Sequence, residues 1–298
     1  MGTPEFAVPS LDILVQNGFN IVGVITATDK LGGRGGKQVL QSDVKKYALA
    51  HNLRILQPKN LKAPEFVEEL RALRADLQIV VAFRMLPEVV WNMPPHGTFN
   101  LHGSLLPKYR GAAPIHWAVI NGEKKTGVTS FKLKHQIDTG DLLLQESTPI
   151  GAEETTGEVY QRLMHLGAET VLRTVQMIEK EEITMTPQDE SLVSKAPKLT
   201  PENTEINFDR NAESIRNFVR GLNPYPTAYT TFDGKKLKLY KVRAVAEKHN
   251  LPPGTPDTDK KKYLRFAAGD GWVYAEDLQL QGKKRMKIAD FLNGYRFD

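Results

Sequence analysis

The chain has 298 residues and contains no cysteine. This absence excludes disulfide bonds, thiolate zinc sites and cysteine nucleophiles, and it is typical of the reducing cytosol, so we expect a cytoplasmic protein. The sequence has no run of 18 apolar residues, and no transmembrane helix is expected. Residues 1–10 lack a basic segment and a long apolar core, and Phe6 stands where a myristoylation signal needs Ser or Thr. We therefore expect no signal peptide and no membrane partner.

The charge is unevenly distributed along the chain. Residues 209–298 contain 18 Lys and Arg but 11 Asp and Glu, a net charge of +7, whereas residues 1–208 carry −2. A solvated surface with extra lysines would explain this excess. A module that binds a polyanion would explain it as well, and in the cytosol the usual polyanion is nucleic acid.

Short apolar runs alternate with helical patterns over the first part of the chain. Strands are predicted at 19–26, 76–83 and 126–133, and helices at 8–18 and 155–181. This alternation predicts an α/β fold with a mostly parallel sheet. The Gly- and Lys-rich segment 27–41 is predicted to be a loop.

A change in composition and periodicity divides the chain into two domains. Residues 187–207 are polar, contain prolines and show little periodicity, which is typical of a linker. One helix at about 211–221 follows, and then several short β-type runs punctuated by Gly, Asp and Pro. The prediction is therefore an α/β domain over 1–186 and a small antiparallel barrel or sandwich over 208–298.

The start of the chain lacks an expected element. The turn-like Gly2-Thr3-Pro4 precedes the helix at 8–18, but no apolar strand precedes that turn. The first strand of a doubly wound sheet is usually central. We therefore expect either an unfilled central position or neighbouring strands that close up imperfectly, and we expect the natural protein to begin upstream of Met1.

Three local motifs fail their tests. In the Gly-rich loop, Leu31 stands at the first Gly of a phosphate loop and Gln38 follows the Lys, so a nucleotide site is not expected. Asp138-Thr139-Gly140 occurs once, whereas an aspartic protease needs two such aspartates. Ser104 lies in HGSLL, which lacks the second Gly of a nucleophile elbow.

Two further observations concern metals and phosphates. His96 and His102 lack carboxylates at ligand spacing, so no metal is expected. The Gly-rich loop still carries three cations that can grip phosphates as point charges. They are Lys30, Arg34 and Lys37.

The segment 100–111 is the strongest candidate for a site. It follows a buried strand, and α/β proteins build their sites at the carboxyl ends of strands. Asn100 and His102 have period-2 spacing, and an amide beside an imidazole can stabilise an oxyanion. Asp138, in another Gly-flanked turn, can favour and orient the imidazolium. A turn asparagine and a structural histidine would explain the same spacing equally well.

The strings NLHGSLLP (100–107) and RGAAP (110–114), with DTGD at 138–141, resemble the signature of the folate-dependent formyltransferases. The opening GTPEFAVPSL, the GRGGK loop and GKKRM at 282–286 extend the resemblance from residue 2 to about 296. They make the chain similar to the members that act on initiator methionyl-tRNA. The absent first strand, which the family carries just before Gly2, is the one departure.

The resemblance implies transfer of the formyl group of 10-formyltetrahydrofolate to the amino group of methionine on the initiator tRNA, without a metal. It implies a Rossmann-like first domain, an OB-like tRNA-binding barrel and a monomer. The residues that match the catalytic trio are Asn100, His102 and Asp138. The expected folate-binding residues are Ser104, Leu105, Leu106, Pro107, Phe83, Arg84, Met85, Leu86 and Asp141. The expected tRNA-binding residues are Lys30, Arg34 and Lys37, with Arg34 as the main contact.

Two other functions stay open at this point. A folate-dependent formyltransferase for a small amine would share the catalytic trio but would not need a basic barrel. An RNA-binding module without enzymatic activity would use the basic barrel on a degenerate α/β scaffold. Binding of tRNA separates the first from the main hypothesis, and a formyl-transfer assay separates the second.

Overall fold

The computed structural model describes residues 1–32 and 35–296. Arg34, the expected main tRNA contact, lies outside the described residues. The chain divides into two compact units. The first comprises Met1–Gly111, Gly127–Thr148 and Tyr160–Lys195, and the second comprises Ala112–Thr126, Pro149–Val159 and Ala196–Asp298.

Local capping signals explain where the helices begin. Ser42 precedes a helix and its hydroxyl accepts the Lys45 N–H at 3.1 Å, and Asn211 caps another in the same way. Prolines occupy the first turn of three helices, where their missing N–H costs nothing. The helices of the described residues are α1 Val8–Gln16, α2 Asp43–Ala50, α3 Pro64–Ala72, α4 Glu88–Trp91, α5 Pro114–Ile120, α6 Thr156–Glu179, α7 Ala212–Gly221 and α8 Ile288–Gly294.

The strands are mostly short. In the first half of the chain they are β1 Val24–Ile25, β2 Lys30–Gly32, β3 Gln38–Leu40, β4 Ile55–Leu56, β5 Gln78–Val81, β6 Thr98–His102, β7 Arg110–Gly111, β8 Lys125–Lys132 and β9 Leu142–Pro149. In the second half they are β10 Lys195–Ala196, β11 Ala228–Phe232, β12 Lys235–Val245, β13 Pro256–Thr258, β14 Leu264–Ala267, β15 Trp272–Leu280 and β16 Met286–Lys287.

The first unit is an α/β structure, as the sequence predicts. Strands β1 and β4 form a parallel pair, and a second sheet has the order β5-β6-β8-β9. In that sheet β5 and β6 are parallel, whereas β8 runs antiparallel to β6. The carboxyl ends of β5 and β6 therefore meet at one edge, where α/β folds carry their sites.

Met1 and Gly2 lie between these two sheets. The Gly2 N–H donates to the Ile25 carbonyl at 3.1 Å, and the Met1 carbonyl accepts the Val81 N–H at 2.9 Å. The Met1 amino group donates to the Ile79 carbonyl, and burial lowers the pKa of this amine to about 5. A cavity of about 60 Å³ lies beside these residues. The central position is thus occupied, but by two residues only.

The second unit contains a six-stranded antiparallel sheet. Five strands follow the order β11-β12-β15-β14-β13, and β16 pairs with β15. The predicted barrel is therefore found as an antiparallel half-barrel. Leu237, Leu239 and Phe266 are fully buried in its core, together with Ile215 and Val219 of α7. This burial explains why the strands alternate apolar and polar residues.

Three details of the secondary structure differ from the sequence-based prediction. Residues 27–41 were predicted to be a loop, but β2 and β3 form an antiparallel hairpin there. The β-type runs GWVYA (271–275) and LQLQG (278–282) are predicted as separate strands, but they form one continuous strand, β15. Strand β9, which ends the second sheet, was not predicted. No helix within the described residues has the length and apolar character needed to cross a membrane.

Candidate active site

Asn100 and His102 occupy the end of β6. The backbone of Asn100 pairs with Val80 of β5 on one side and with Phe131 of β8 on the other, so its position is fixed by both neighbours. Its side-chain amide has no hydrogen-bond partner within the described residues. This amide is thus free to donate to a ligand at the edge of the sheet.

The imidazole of His102 is buried and held by a backbone carbonyl. Its Nε2 lies 2.8 Å from the Tyr109 carbonyl oxygen. A carbonyl only accepts, so Nε2 carries the hydrogen and donates it. The other nitrogen, Nδ1, lies 3.8 Å from Oδ2 of Asp138. Nδ1 is consequently the atom of this ring that can exchange a proton.

Asp138 reaches His102 from a tight turn. Its φ is +56°, in the left-handed region that is unfavourable for residues other than glycine, so the turn must be held by its surroundings. Gly140 makes the turn possible, because a Cβ there would lie 1.6 Å from the Lys132 carbonyl oxygen. The Gly111 N–H donates to Oδ2 of Asp138 at 2.9 Å. The structure thus brings together the predicted His102 and Asp138.

The predicted folate-binding residues 104–107 form a rigid loop. Ser104 is fully buried and its hydroxyl donates to the Lys108 carbonyl at 2.7 Å. Leu106 and Pro107 are buried, whereas Leu105 is partly exposed. Thr129 of β8 donates to the Ser104 carbonyl at 2.6 Å and accepts the Leu106 N–H at 3.1 Å. This loop therefore presents backbone and Leu105 more than its other side chains.

The second predicted folate-binding stretch follows β5. Met85 is exposed, Phe83 is half-buried and Leu86 is buried. Arg84 does not extend freely, because its guanidinium donates to the carbonyls of Pro58 and Lys59. The backbone N–H groups of residues 83–85 have no partner within the described part of the chain. These N–H groups can donate hydrogen bonds to a ligand that carries acceptor atoms.

Asp141, the remaining candidate for folate binding, lies at the other end of the Asp138 turn. Its carboxylate accepts a hydrogen bond from Lys134 at 2.8 Å, and its carbonyl accepts the Lys132 N–H. Both contacts tie the turn to the end of β8. In this state the side chain of Asp141 is therefore engaged within the protein.

The basic residues of the Gly-rich segment lie on or beside the β2–β3 hairpin. Lys30 begins β2 and Lys37 precedes β3, and both side chains are exposed. Two apolar side chains of the same hairpin, Leu31 and Val39, are paired across the strands and exposed as well. The hairpin thus offers both charge and apolar contact to a partner.

Cations stacked on aromatic rings cover part of the sheet of the second unit. The guanidinium of Arg265 lies 3.8 Å from the Trp272 ring centre, and that of Arg285 lies 4.1 Å from the Tyr240 ring centre. Such stacking holds a guanidinium in place while it keeps its charge. Both guanidiniums are also paired with carboxylates, Arg265 with Asp257 at 2.6 Å and Arg285 with Asp277 at 2.7 Å, so the excess of positive charge in 209–298 rests on other residues.

Sequence reasoning missed the residues that hold the site together. Gln188 contacts the Asp138 turn, Thr129 contacts the loop at 104–107, and Tyr109 supplies the carbonyl for His102. Gln188 lies in a segment without periodicity, and it contacts the Asp138 turn through backbone carbonyls, which leave no trace in the sequence. Within residues 1–32 and 35–296, no group of three His, Asp or Glu side chains could hold a metal ion.

Comparisons with known proteins agree along the whole chain. Residues 1–175 match the family model "Formyl transferase", and residues 198–296 match "Formyl transferase, C-terminal domain". The methionyl-tRNA formyltransferase of Parabacteroides distasonis is 51% identical over 306 residues, covering 99% of this chain and 94% of that protein. That of Flavobacterium johnsoniae is 49% identical over 302 residues, covering 100% and 95%.

A solved structure shares the fold at much lower identity. The N-formyltransferase from Helicobacter canadensis, in complex with folinic acid and dTDP-3-aminofucose, superposes with a TM-score of 0.70 at 21% identity. The match covers 92% of this chain and 96% of that one.

Proposed function

The chain belongs to the formyl transferase family, and we propose that it carries the formyl group of 10-formyltetrahydrofolate to the amino group of methionyl-initiator tRNA. Its activity as a transferase acting on methionyl-tRNA rests on relatives about half identical over nearly its full length. The observation that carries the residue assignment is the buried pair of His102 and Asp138 at the edge of the sheet. Translation initiation takes place in the cytoplasm, and we propose that compartment and a monomeric enzyme.

The proposed chemistry needs a polar, preorganised edge. The neutral amine of the methionyl group attacks the formyl carbon, a C–N bond forms, and the formyl oxygen becomes an oxyanion. The amide of Asn100 and the protonated Nδ1 of His102 stabilise that oxyanion. The C–N bond to the folate nitrogen then breaks, and the proton of the amine ends on that nitrogen.

Asp138 has a supporting role in this step. Its Oδ2 is 3.8 Å from Nδ1, a separation at which a carboxylate favours the imidazolium electrostatically. Its other partner, the Gly111 N–H, keeps the carboxylate in place beside the ring. Through a water molecule, the same carboxylate assists the proton transfer between the amine and the folate nitrogen.

The residues around the edge fit a flat, polar formyl donor. The unpaired N–H groups of residues 83–85 match the acceptor atoms of a pterin ring. Half-buried Phe83 supplies apolar surface in the same segment, and partly exposed Leu105 supplies more from the loop after β6. These residues are the proposed contacts of the donor.

The tRNA contacts are proposed for two places. Lys30 and Lys37 on the hairpin engage phosphates of the acceptor end, together with Arg34, which stays a prediction. The basic surface of 208–298 supplies affinity that does not depend on sequence, because it rests on phosphates. This division explains why the excess charge lies in the C-terminal part of the chain.

Formylation of charged initiator tRNA tests the proposal. The purified chain is mixed with 10-formyltetrahydrofolate and either methionyl-tRNA or a small amino sugar, and formylated product is quantified. We expect product with the tRNA and none with the sugar. Product with the amino sugar alone would assign the chain to the small-amine reaction, and tRNA binding without product would make it a binding module.

A further inference from the structure

Gln188 uses all of its hydrogen-bonding capacity around the Asp138 turn. Its Nε2 donates to the Asp138 carbonyl at 2.9 Å and to the Gly140 carbonyl at 2.7 Å. Its Oε1 accepts two hydrogen bonds from Arg110, from Nε at 3.1 Å and from Nη2 at 2.7 Å. An amide with two donors and two acceptor lone pairs can do no more.

Arg110 decides which way this amide faces. A guanidinium only donates, so the oxygen of Gln188 must face Arg110 and the nitrogen must face the two carbonyls. Arg110 is itself held, because its backbone N–H donates to the Ser194 carbonyl and its guanidinium pairs with Glu190. The orientation of the Gln188 amide is therefore fixed rather than free to flip.

The hydrogen bonds close a ring around Asp138. One side runs from the Asp138 carbonyl through Gln188 to Arg110. The next residue, Gly111, donates its N–H to the carboxylate of the same Asp138. Strand β7 thus holds both the backbone of Asp138, through Gln188 and Arg110, and its side chain, through Gly111.

From this ring we infer that Gln188 is a positioning residue for the formyl transfer: it holds the Asp138 carboxylate in its place opposite His102. Asp138 has a left-handed backbone, which needs external support. A catalytic group displaced by about 1 Å can cost about 10²-fold in rate. Gln188 acts through Asp138 alone, and the inference rests on the proposed function.

A double-mutant cycle tests this inference in the full chain. Gln188→Ala, Asp138→Asn and the double variant are compared by kcat and KM for methionyl-tRNA and by thermal unfolding. Gln188→Ala is expected to lower kcat by about 10- to 100-fold, with KM changed less than about twofold. In the Asp138→Asn background, the same substitution should change kcat by less than about threefold, since residues that act as a unit are not additive.

Hydrogen exchange of the Gly111 amide tests the same inference without measuring catalysis. The Gly111 amide is protected from hydrogen exchange by the Asp138 carboxylate, and Gln188→Ala should accelerate its exchange at least about tenfold. Gln176→Ala is the matched control, because it makes the same substitution at an exposed glutamine of α6. It should leave kcat and the Gly111 exchange within about twofold of the parent chain.

The outcomes distinguish a failure of the positioning role of Gln188 from a failure of the catalytic assignment of Asp138. A full kcat loss from Gln188→Ala in the Asp138→Asn background, or unchanged Gly111 exchange, would overturn the positioning role. So would an equal effect of Gln176→Ala. Near-parental kcat in Asp138→Asn itself would instead overturn the catalytic assignment of Asp138 on which the inference rests.

Discussion

His102 presents only one nitrogen to the chemistry, because its Nε2 donates to the Tyr109 carbonyl while Nδ1 faces Asp138 at 3.8 Å. The separation exceeds a direct hydrogen bond, so the two groups interact through space or through a bridging water. Tyr109 comes from the loop that follows β6, and Asp138 comes from the turn after β8. The geometry of the pair thus depends on two separate segments.

Replacing Asn100 or His102 by alanine is expected to lower kcat to a similar extent, but only the His102 variant should lose folding stability. Asn100→Ala and His102→Ala should each lower kcat at least about 10²-fold, as for lost oxyanion donors. Asn100→Ala should leave the free energy of unfolding within about 0.5 kcal/mol, because its amide has no partner within the described residues. His102→Ala should cost about 1–3 kcal/mol, because it removes the buried hydrogen bond to the Tyr109 carbonyl.

Chemical denaturation and steady-state kinetics on the two variants check this difference. Asn17→Ala is the control, since it removes an exposed amide that bonds only within its own helix end. Parental turnover in either site variant would contradict the proposed trio.

The sequence predicted those features that depend on neighbouring residues. A cap such as that of Ser42 can be recognised in a sequence, because a helix start needs only a polar oxygen next to the first turn. The site string was readable because Asn100 and His102 share one strand. Strand β1, predicted over 19–26, is only Val24–Ile25, because pairing is set by residues far away in the chain. The contact with Ile55 cannot be derived from the residues around Val24.

The same reasoning explains what was missed in the sheets and at the site. Strand β9 changes from apolar to polar along its length, so it shows no single period. Gln188 supports the site through backbone carbonyls, and any residue type offers those. Such contacts become visible only in three dimensions.

The loop at 104–107 should lose its shape when Thr129 is replaced by Val. The variant keeps the volume but leaves the Ser104 carbonyl and the Leu106 N–H without their partner. We expect a loss of about 1–3 kcal/mol in the free energy of unfolding and a several-fold higher KM for the formyl donor.

Thr170→Val is the control for this loop variant, because the Thr170 hydroxyl only bonds a carbonyl within α6. It should leave the KM for the donor unchanged. Equal KM values for the Thr129 variant and the parent chain would show that the shape of the loop at 104–107 does not affect binding of the formyl donor.

The hairpin should affect tRNA and not the formyl donor. Lys30→Ala with Lys37→Ala is expected to lower kcat/KM for methionyl-tRNA about tenfold, and to reduce the slope of log affinity against log salt by about 1–2. Donor affinity should stay within about twofold. Lys62→Ala, an exposed lysine on another segment, is the control. An equal loss of affinity for the formyl donor would mean that the hairpin belongs to the donor site.

Asp277 should stabilise the second unit in a pH-dependent way. Its nearly buried carboxylate accepts hydrogen bonds from Arg285 at 2.9 and 2.7 Å and from Lys287 at 3.1 Å. These bonds, Arg285 first, hold the pKa of Asp277 below its usual 3.8. The folded state therefore binds fewer protons than the unfolded state, so the stabilisation is complete above pH 3.8 and is lost as the pH falls through the folded pKa.

Asp277→Asn should consequently lower the free energy of unfolding by about 1.5–3 kcal/mol at pH 6, since hydrogen bonds to a charged group are lost. The difference from the parent chain should shrink as the pH is lowered below 3.8, because the unfolded parent chain then takes up a proton that the charged folded state excludes. Denaturant unfolding between pH 6 and pH 3 measures both. Glu276→Gln, a partly exposed carboxylate on the same strand 3.5 Å from Lys241, should cost less than about 1 kcal/mol at every pH. A difference for Asp277→Asn that stays constant down to pH 3 would mean that its packing, and not its charge, stabilises the sheet.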